Sequence, residues 1–435
     1  MNLSWVDEYF KNVKPYVFVR VEDNILIKRP NKVHKLNPSG ALILKALLDG
    51  EKIDNMINKI NDKGKELQLY HFLNAIRQAI DGNMDVFTTN PAVGRKTFEL
   101  NFSKYPVLSE LAVTYRCNLR CSFCYAGCNK TINPAKSSEE LNTNALKKII
   151  DKIFNQAKVP SISFTGGEPL LRADLPKLIY HAKKTGMRVN LISNGTLITS
   201  EKAKELVSAG LDSAQISIES TNEEIHDKLT AVKGSFIKSL NAVRFFKNLG
   251  IHVHSNTTLN RLNIDDAANF PAFVKNILGL DKFSMNMMIP TGSVTFNNSL
   301  KLYYEEMGGH IDKIISECSV HDVELMWYSP LPLCMYNTIT HGLGNKGCSC
   351  CDGLLSVAPN GDVLPCASFD DTVGNIFNKS FEEIWYEKEA VYYRCKSFAH
   401  SNCKQCEHFA LCNGACPLYW RDMGFGELNK IINTN

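Results

Sequence analysis

Residues 117–125 read Cys117-Asn118-Leu119-Arg120-Cys121-Ser122-Phe123-Cys124-Tyr125, three cysteines spaced CxxxCxxC directly after the apolar run Leu108–Thr114. The spacing puts three thiolates on one short loop. Thiolates are the usual protein ligands of iron–sulfur clusters, and three of them leave one iron of a four-iron cluster without a protein ligand. Such an iron is free to take a substrate or cofactor. Zinc fits less well, because a structural zinc wants a closed set of four ligands and the spacing is not that of a CxxC knuckle.

Working outward, the chain of 435 residues has room for roughly two or three domains with a buried core. Apolar residues make up 44% and charged residues 22%, the balance of an ordinary globular protein. A net charge of +4 without a dense basic tract gives no reason to expect nucleic acid as a partner. The stretch Met1–Tyr16 carries charges throughout, unlike a secretion signal, and no apolar run is long enough to span a membrane. A cytoplasmic protein is expected. Its fifteen cysteines then call for ligation rather than disulfides, and they are clustered: four lie between 117 and 128 and nine between 348 and 416.

Upstream, Tyr16–Val21 and Ile25–Ile27 alternate around Glu22-Asp23-Asn24 as a hairpin, with a third short strand over Val33–Leu36. Helical patterns follow at Ala41–Leu48, closed by Asp49-Gly50, at Ile53–Ile60 and at Leu67–Ile80. Three strands and then three helices make a small winged-helix-like α+β unit. Asn83–Pro106 lacks periodicity and reads as a linker, with one added strand at Thr97–Asn101. From Leu108 strands and helices alternate. The strands are Leu108–Thr114, Ser161–Thr165, Arg188–Ser193, Ala214–Glu219, His252–Thr257 and Phe283–Met287. The helices between them are Thr143–Gln156, Asp174–Thr185, Lys202–Ala209, Phe236–Asn248 and Asp266–Ile277, with a last one near Tyr303–Glu317. Six such units predict an α/β fold with a parallel sheet.

The cysteine loop, with Phe123 as the aromatic before its third cysteine, resembles the signature of radical S-adenosylmethionine (SAM) enzymes. The resemblance implies a partial six-unit (β/α) TIM-like barrel over residues 107–318, with Cys117, Cys121 and Cys124 holding a 4Fe–4S cluster. In that family the open iron chelates the amino and carboxylate groups of SAM. An electron then cleaves SAM to methionine and a 5′-deoxyadenosyl radical that takes a hydrogen from the substrate. Gly166-Gly167-Glu168-Pro169, at the end of the second strand, resembles the family's GGEP motif for the methionine amino group. Glycines allow close backbone approach and a carboxylate holds an ammonium. By the same resemblance Ser193, after the third strand, contacts SAM, and Ser217 and Glu219 meet the ribose hydroxyls. Those two stand two apart, so both point the same way off a strand. His226-Asp227…Lys233-Gly234-Ser235-Phe236 resembles a segment that usually carries an arginine, where this chain has Thr230-Ala231 instead.

Near the C-terminus, Cys351-x9-Gly361-x4-Cys366 is followed by Cys403-x2-Cys406-x5-Cys412-x3-Cys416. The pattern resembles the SPASM extension of radical SAM peptide maturases, which holds two auxiliary four-iron clusters, and assigns residues 319–435 to a bridging region and that domain. Cys348, Cys350 and Cys351 all satisfy the spacing to Gly361. The preferred set is Cys348, Cys351 and Cys366, with Cys416 crossing over from the later unit. The family's final cysteine has no counterpart after Cys416. Cys395 or His408 stands in for it, or the second cluster keeps an open iron for a substrate thiolate, or only one auxiliary cluster forms. Cys128, Cys318 and Cys334 read as spare thiols, Cys334 also as a neighbour of the first auxiliary cluster.

Leu36–Gly50 resembles the peptide-binding chaperone of pyrroloquinoline-quinone synthesis, a fold that recurs as a leader-peptide recognition element. There the leader adds a strand to the third strand and packs on the last helix. The organisation expected is a recognition domain over 1–90, a linker over 91–106, the barrel, and the SPASM region. Together the resemblances imply a radical SAM maturase of a ribosomally made precursor peptide, reduced by flavodoxin or ferredoxin and forming a thioether between a cysteine sulfur and carbon. Epimerisation, quenched by a thiol such as Cys128 or Cys334, and carbon–carbon or ether crosslinking are alternatives. So is SPASM chemistry on a sulfatase residue or a tetrapyrrole side chain. From another class, an iron–sulfur redox sensor that binds peptides would have no use for the GGEP stretch or the Ser217/Glu219 pair.

Overall fold

The computed structural model describes residues 2–60, 62–82, 103–128, 140–295 and 297–432. Contacts divide the chain into two units, Met1–Leu108 and Ser109–Asn435.

In the first unit β1 (Val17–Arg20), β2 (Ile25–Lys28) and β3 (Lys32–Lys35) form an antiparallel sheet in that order. Helices Pro38–Asp49, Ile53–Lys59 and Lys63–Asp81 follow. The first of them starts where the Asn37 side chain accepts the Gly40 N–H at 2.7 Å, and it stops at Gly50 in a left-handed conformation. A Cβ on Gly40 would lie 2.9 Å from the Phe72 ring, so the glycine lets the last helix pack close. One helix, Val6–Val13, was not expected. Val6 and Phe10 lie one turn apart and are buried in the core of this unit, while charged neighbours face outward. Arg20 and Asp23 form a buried ion pair at 2.8 Å, and Arg20 also donates to the carbonyls of Tyr105 and Pro106. Burying both ions is tolerable only because the guanidinium's donors are met. The remainder of the expected linker and its added strand Thr97–Asn101 lie outside the described residues.

The second unit is built on β4 (Leu108–Thr114), β5 (Ser161–Gly166), β6 (Arg188–Ser193), β7 (Ser213–Ser217), β8 (His252–Leu259) and β9 (Lys282–Met287). These are the six expected strands, paired in parallel in chain order. The parallel sheet does not stop at the sixth. After helix Tyr304–His321, β10 (Glu324–Trp327) pairs in parallel with β9, beyond the expected barrel limit of 318. On the other side β4 is followed by β11 (Leu354–Val357), β12 (Asp362–Leu364) and β13 (Gly374–Asn375), so ten strands share one α/β sheet. The expected helix Asp266–Ile277 is broken into a 3-10 segment Ile264–Asn269, one α turn Phe270–Phe273 and a π turn Val274–Leu278. Pro271 brings no N–H to continue the ladder. Helix Glu223–Thr230, capped by the Asn222 side chain, was also unforeseen. Among the described residues no helix is long and apolar enough to cross a membrane.

Candidate active site and auxiliary iron centres

The pairing of β4 with β5 slips between Ala112 and Thr114, just before the cysteine loop leaves the sheet. Loops from three other strand ends then clasp that loop. After β7, the carbonyls of Leu229 and Thr230 accept the N–H groups of Ser122 and Arg120, both at 3.0 Å. After β6, the Asn194 amide donates to Asn118 at 3.0 Å and reaches the Cys117 sulfur at 3.9 Å. After β9, Ser293 N–H donates to the Cys124 carbonyl at 2.9 Å. Phe123 is buried with Leu229, Met288, Val294 and Leu300 and anchors the loop from beneath. Cys117, Cys121 and Cys124 are half-buried thiols outside any disulfide. Thr230, which stands where the resembling segment usually has an arginine, thus holds the loop through its backbone.

Gly166 and Gly167 bring β5 against the start of the same loop. Glu168 N–H donates to the Arg116 carbonyl at 2.8 Å, and a Cβ on Gly167 would stand 2.3 Å from that oxygen. Gly166 has φ +134°, and its Cβ would meet the Thr114 carbonyl oxygen at 2.1 Å. A Gly167→Ala variant must therefore push the backbone beside Cys117 aside. A misplacement of about 1 Å costs on the order of 100-fold in rate, the loss expected in 5′-deoxyadenosine formation. An unchanged rate would show that the contact is slack.

Glu168 is fully buried and ties β5 to β6. It accepts the Ser193 hydroxyl at 2.9 Å, the Asn194 N–H at 2.9 Å and the Leu170 N–H at 3.1 Å, where Pro169 opens a 3-10 turn. Ser193 in turn accepts from Gly195 N–H, so its one proton is already committed to Glu168. Beyond the end of β7, Glu219 is buried and accepts the Thr258 N–H at 2.9 Å, while Ser217 stands half-buried two residues before it. His226 shapes that turn, since its Nδ1 accepts the Glu219 N–H at 3.1 Å. Asp227 accepts the N–H of Phe236 at 3.0 Å and so starts helix Ser235–Asn248. The sequence carried a His-Asp pair for these roles, but nothing in it told which backbone groups they would meet.

Burial lowers the His226 pKa to about 4, so the folded protein holds it neutral. The unfolded chain binds that proton below its ordinary value near 6.5, and stability falls as pH drops from there toward 4. About 1 kcal/mol should be lost between pH 7 and about 5.5. Anaerobic melting should show a flatter acid limb in His226→Asn, whose amide oxygen can replace Nδ1. Equal slopes would contradict the assignment.

The electrostatics suit a cation. Burial raises Glu168 to about 7 and Glu219 to about 8. Among the described residues neither carboxylate has a basic ion-pair partner. Buried carboxylates without a counter-charge are costly. Glu168 lies within electrostatic reach of Cys117, and Glu219 of Cys121. SAM carries an ammonium and a sulfonium, so the donor set and the charge fit a cluster with SAM beside it. Burial also pushes Cys117 up to about 11, whereas a hydrogen bond with Cys128 draws Cys124 down to about 6.

The C-terminal cysteines fall into two groups. In the first, Cys348 and Cys350 touch at 3.3 Å between sulfurs, Cys350 also bonds Cys366, and Cys416 lies within electrostatic reach of Cys348 and Cys366. Gly361 turns the β11–β12 hairpin at φ +88°, which places Cys366 just past β12. Cys351, the preferred candidate, also lies within electrostatic reach of Cys366 and Cys348, with Arg394 its leading charged neighbour and its backbone left-handed at φ +46°. Both adjacent cysteines interact with Cys348 and Cys366, so the spacing rule alone does not choose between them. Lys396, fully buried, donates to the Cys348 carbonyl at 2.7 Å. Asn413, Gly414 and Ala415 are all left-handed, which separates Cys412 from Cys416 and sends them to different groups. Cys403, Cys406 and Cys412 make the second group. Of the expected stand-ins, His408 lies 3.6 Å from Glu407 and Cys395 is exposed. Cys334 joins the second group, not the first.

This is the site of an iron–sulfur enzyme on a mostly parallel α/β sheet. The radical SAM superfamily model matches residues 111–273, and the SPASM iron–sulfur cluster-binding domain matches 348–407. The AdoMet-dependent heme synthase of Oleidesulfovibrio alaskensis is 30% identical over 318 residues, covering 69% of this chain and 80% of the synthase. The PqqA peptide cyclase of Bradyrhizobium diazoefficiens is 26% identical over 352 residues, covering 76% of this chain and 85% of the cyclase. Among solved structures, Streptococcus suis SuiB shares the fold at TM-score 0.65 and 17% identity over 93% of this chain and 95% of SuiB. The chain belongs to the radical SAM superfamily: it is a radical SAM enzyme that binds 4Fe–4S clusters and SAM.

Proposed function

We propose that this enzyme modifies a ribosomally made precursor peptide, forming a thioether from a cysteine sulfur to carbon. The observation that carries the reading is the N-terminal unit. Among the described residues no strand covers the outer edge of β3, and its backbone groups can accept an extended peptide as a fourth strand. That unit serves as the leader-recognition domain expected over 1–90, in a winged-helix-like arrangement. SuiB, solved with its precursor peptide SuiA, shares the fold over 93% of this chain, and anSMEcpe has been solved with AdoMet and a peptide.

When bound, the clusters and SAM supply reductive cleavage, the hydrogen-abstracting radical and a sink for the second electron. The chain's own residues supply the rest. Cys117, Cys121 and Cys124 hold the SAM-binding cluster, and the backbone of Gly166 and Gly167 with Glu168 lines the methionine end. Glu219, with Ser217, faces the ribose side. Phe123, Pro169 and Ser193 hold the loops that shape this surface. Cys348, Cys350 or Cys351, Cys366 and Cys416 hold one auxiliary cluster, and Cys403, Cys406 and Cys412 belong to the other. A cytoplasmic location with flavodoxin or ferredoxin as reductant completes the reading.

An anaerobic assay with SAM, dithionite and the candidate precursor peptide tests the bond. Loss of two hydrogens with one thiol consumed per modification means a thioether. Unchanged mass with one deuterium taken from heavy water means epimerisation, and loss of two hydrogens with all thiols free means a carbon or ether crosslink. The heme synthase relative favours a second reading, action on a tetrapyrrole side chain. Turnover of a tetrapyrrole, with no change in any peptide, would replace the first reading with that one.

A further inference from the structure

The second C-terminal group has three cysteines from the CX2CX5C run, because the fourth, Cys416, sits with Cys348 and Cys366. A four-iron cluster held by protein alone takes four thiolates. The structure places one more beside them from far upstream. Leu331 is buried, and Pro332 begins a tight turn in which its carbonyl accepts the N–H groups of Met335 and Tyr336 at 2.9 and 3.0 Å. Cys334 stands at the apex of that turn. The turn is docked on the group by its neighbour, since Leu333 N–H donates to the Cys412 sulfur at 3.4 Å. Cys334 itself lies within electrostatic reach of Cys412 and Cys406, and Cys403 feels Cys334, Cys406 and Cys412 together. Cysteine is usually among the most buried residue types, yet Cys334 and Cys406 are exposed, with Cys403 and Cys412 only half-buried. Thiols left at a surface in a group of four have a reason other than packing.

We propose that Cys334 is the fourth thiolate of the second auxiliary cluster, in the place of the missing C-terminal cysteine. All four irons of that cluster then have a protein sulfur, and no position is left for a substrate thiolate. The second cluster carries electrons, and any substrate-binding iron must be sought elsewhere. Cys395 and His408 have no part in ligation.

Thiol footprinting of the full-length wild-type protein tests this without activity. Iodoacetamide should label Cys334 in apoprotein and do so at least about tenfold more slowly after anaerobic reconstitution, because a ligated thiolate is no longer a free nucleophile. Equal labelling in the two forms would overturn the assignment. Ligation is separated from simple shielding by the chain carrying Cys117, Cys121 and Cys124→Ala, which keeps only the auxiliary iron. Adding Cys334→Ala should make the electron paramagnetic resonance spectrum of one reduced cluster shift with cyanide, or remove that cluster's iron, whereas adding Cys395→Ala should do neither. A spectrum indifferent to Cys334→Ala but altered by Cys395→Ala would assign the ligand to Cys395.

Discussion

Replacing Cys117, Cys121 and Cys124 together by alanine should abolish 5′-deoxyadenosine formation and leave the C-terminal iron in place. The expectation follows from how the ligands are distributed. The three thiols stand on one loop held by the ends of β6, β7 and β9, and the other proposed ligands stand on segments beyond residue 330. Cluster binding supplies a large share of a site's local stability, but only where its own ligands stand. Removing one set therefore drops the iron by about four atoms per chain and spares the other set. Iron analysis and chromatography of the SAM products read both effects. Cleavage that survives the triple substitution would refute the site, and loss of all iron would show that the loop is needed for folding.

The second large effect concerns the N-terminal unit. Deleting residues 1–90 should leave uncoupled SAM cleavage close to the wild-type rate while modification of a leader-bearing peptide falls by about 10²–10⁴-fold. That range is the gain that tethering gives when a second binding event becomes intramolecular. A leaderless peptide should be a poor substrate for both forms, and equally so. Full modification of the leader-bearing peptide by the truncated chain would overturn the recognition role.

The parts legible in the sequence are those where local pattern and tertiary burial agree. The six strands β4–β9 were readable because short strand-like runs bounded by turn residues alternate with helical segments, one after each strand. Glycines at 166, 167 and 361 were legible as well, since each does something that no other residue can do in its place. Val6–Val13 was not, because its charges hide a stripe of two buried residues, Val6 and Phe10. Nor was β10, four residues long and buried mainly at Trp327. The functional residues that escaped reading act through backbone groups or across long separations. His226 and Asn194 are ordinary polar residues until the fold places Glu219 and Asn118 beside them. Cys334 read as a spare thiol or a neighbour of the first auxiliary cluster because 68 residues lie between it and Cys403, and only the fold brings the two within electrostatic reach.

Peptide maturation stands or falls on where the abstracted hydrogen comes from. The measurement is anaerobic turnover with SAM, reductant and a precursor peptide deuterated at the carbons of its core residues, followed by mass analysis of 5′-deoxyadenosine. Deuterium carried from the peptide into 5′-deoxyadenosine, matched by modified peptide, is the predicted result. Unlabelled 5′-deoxyadenosine beside an unmodified peptide would contradict peptide maturation and turn attention to the tetrapyrrole reading.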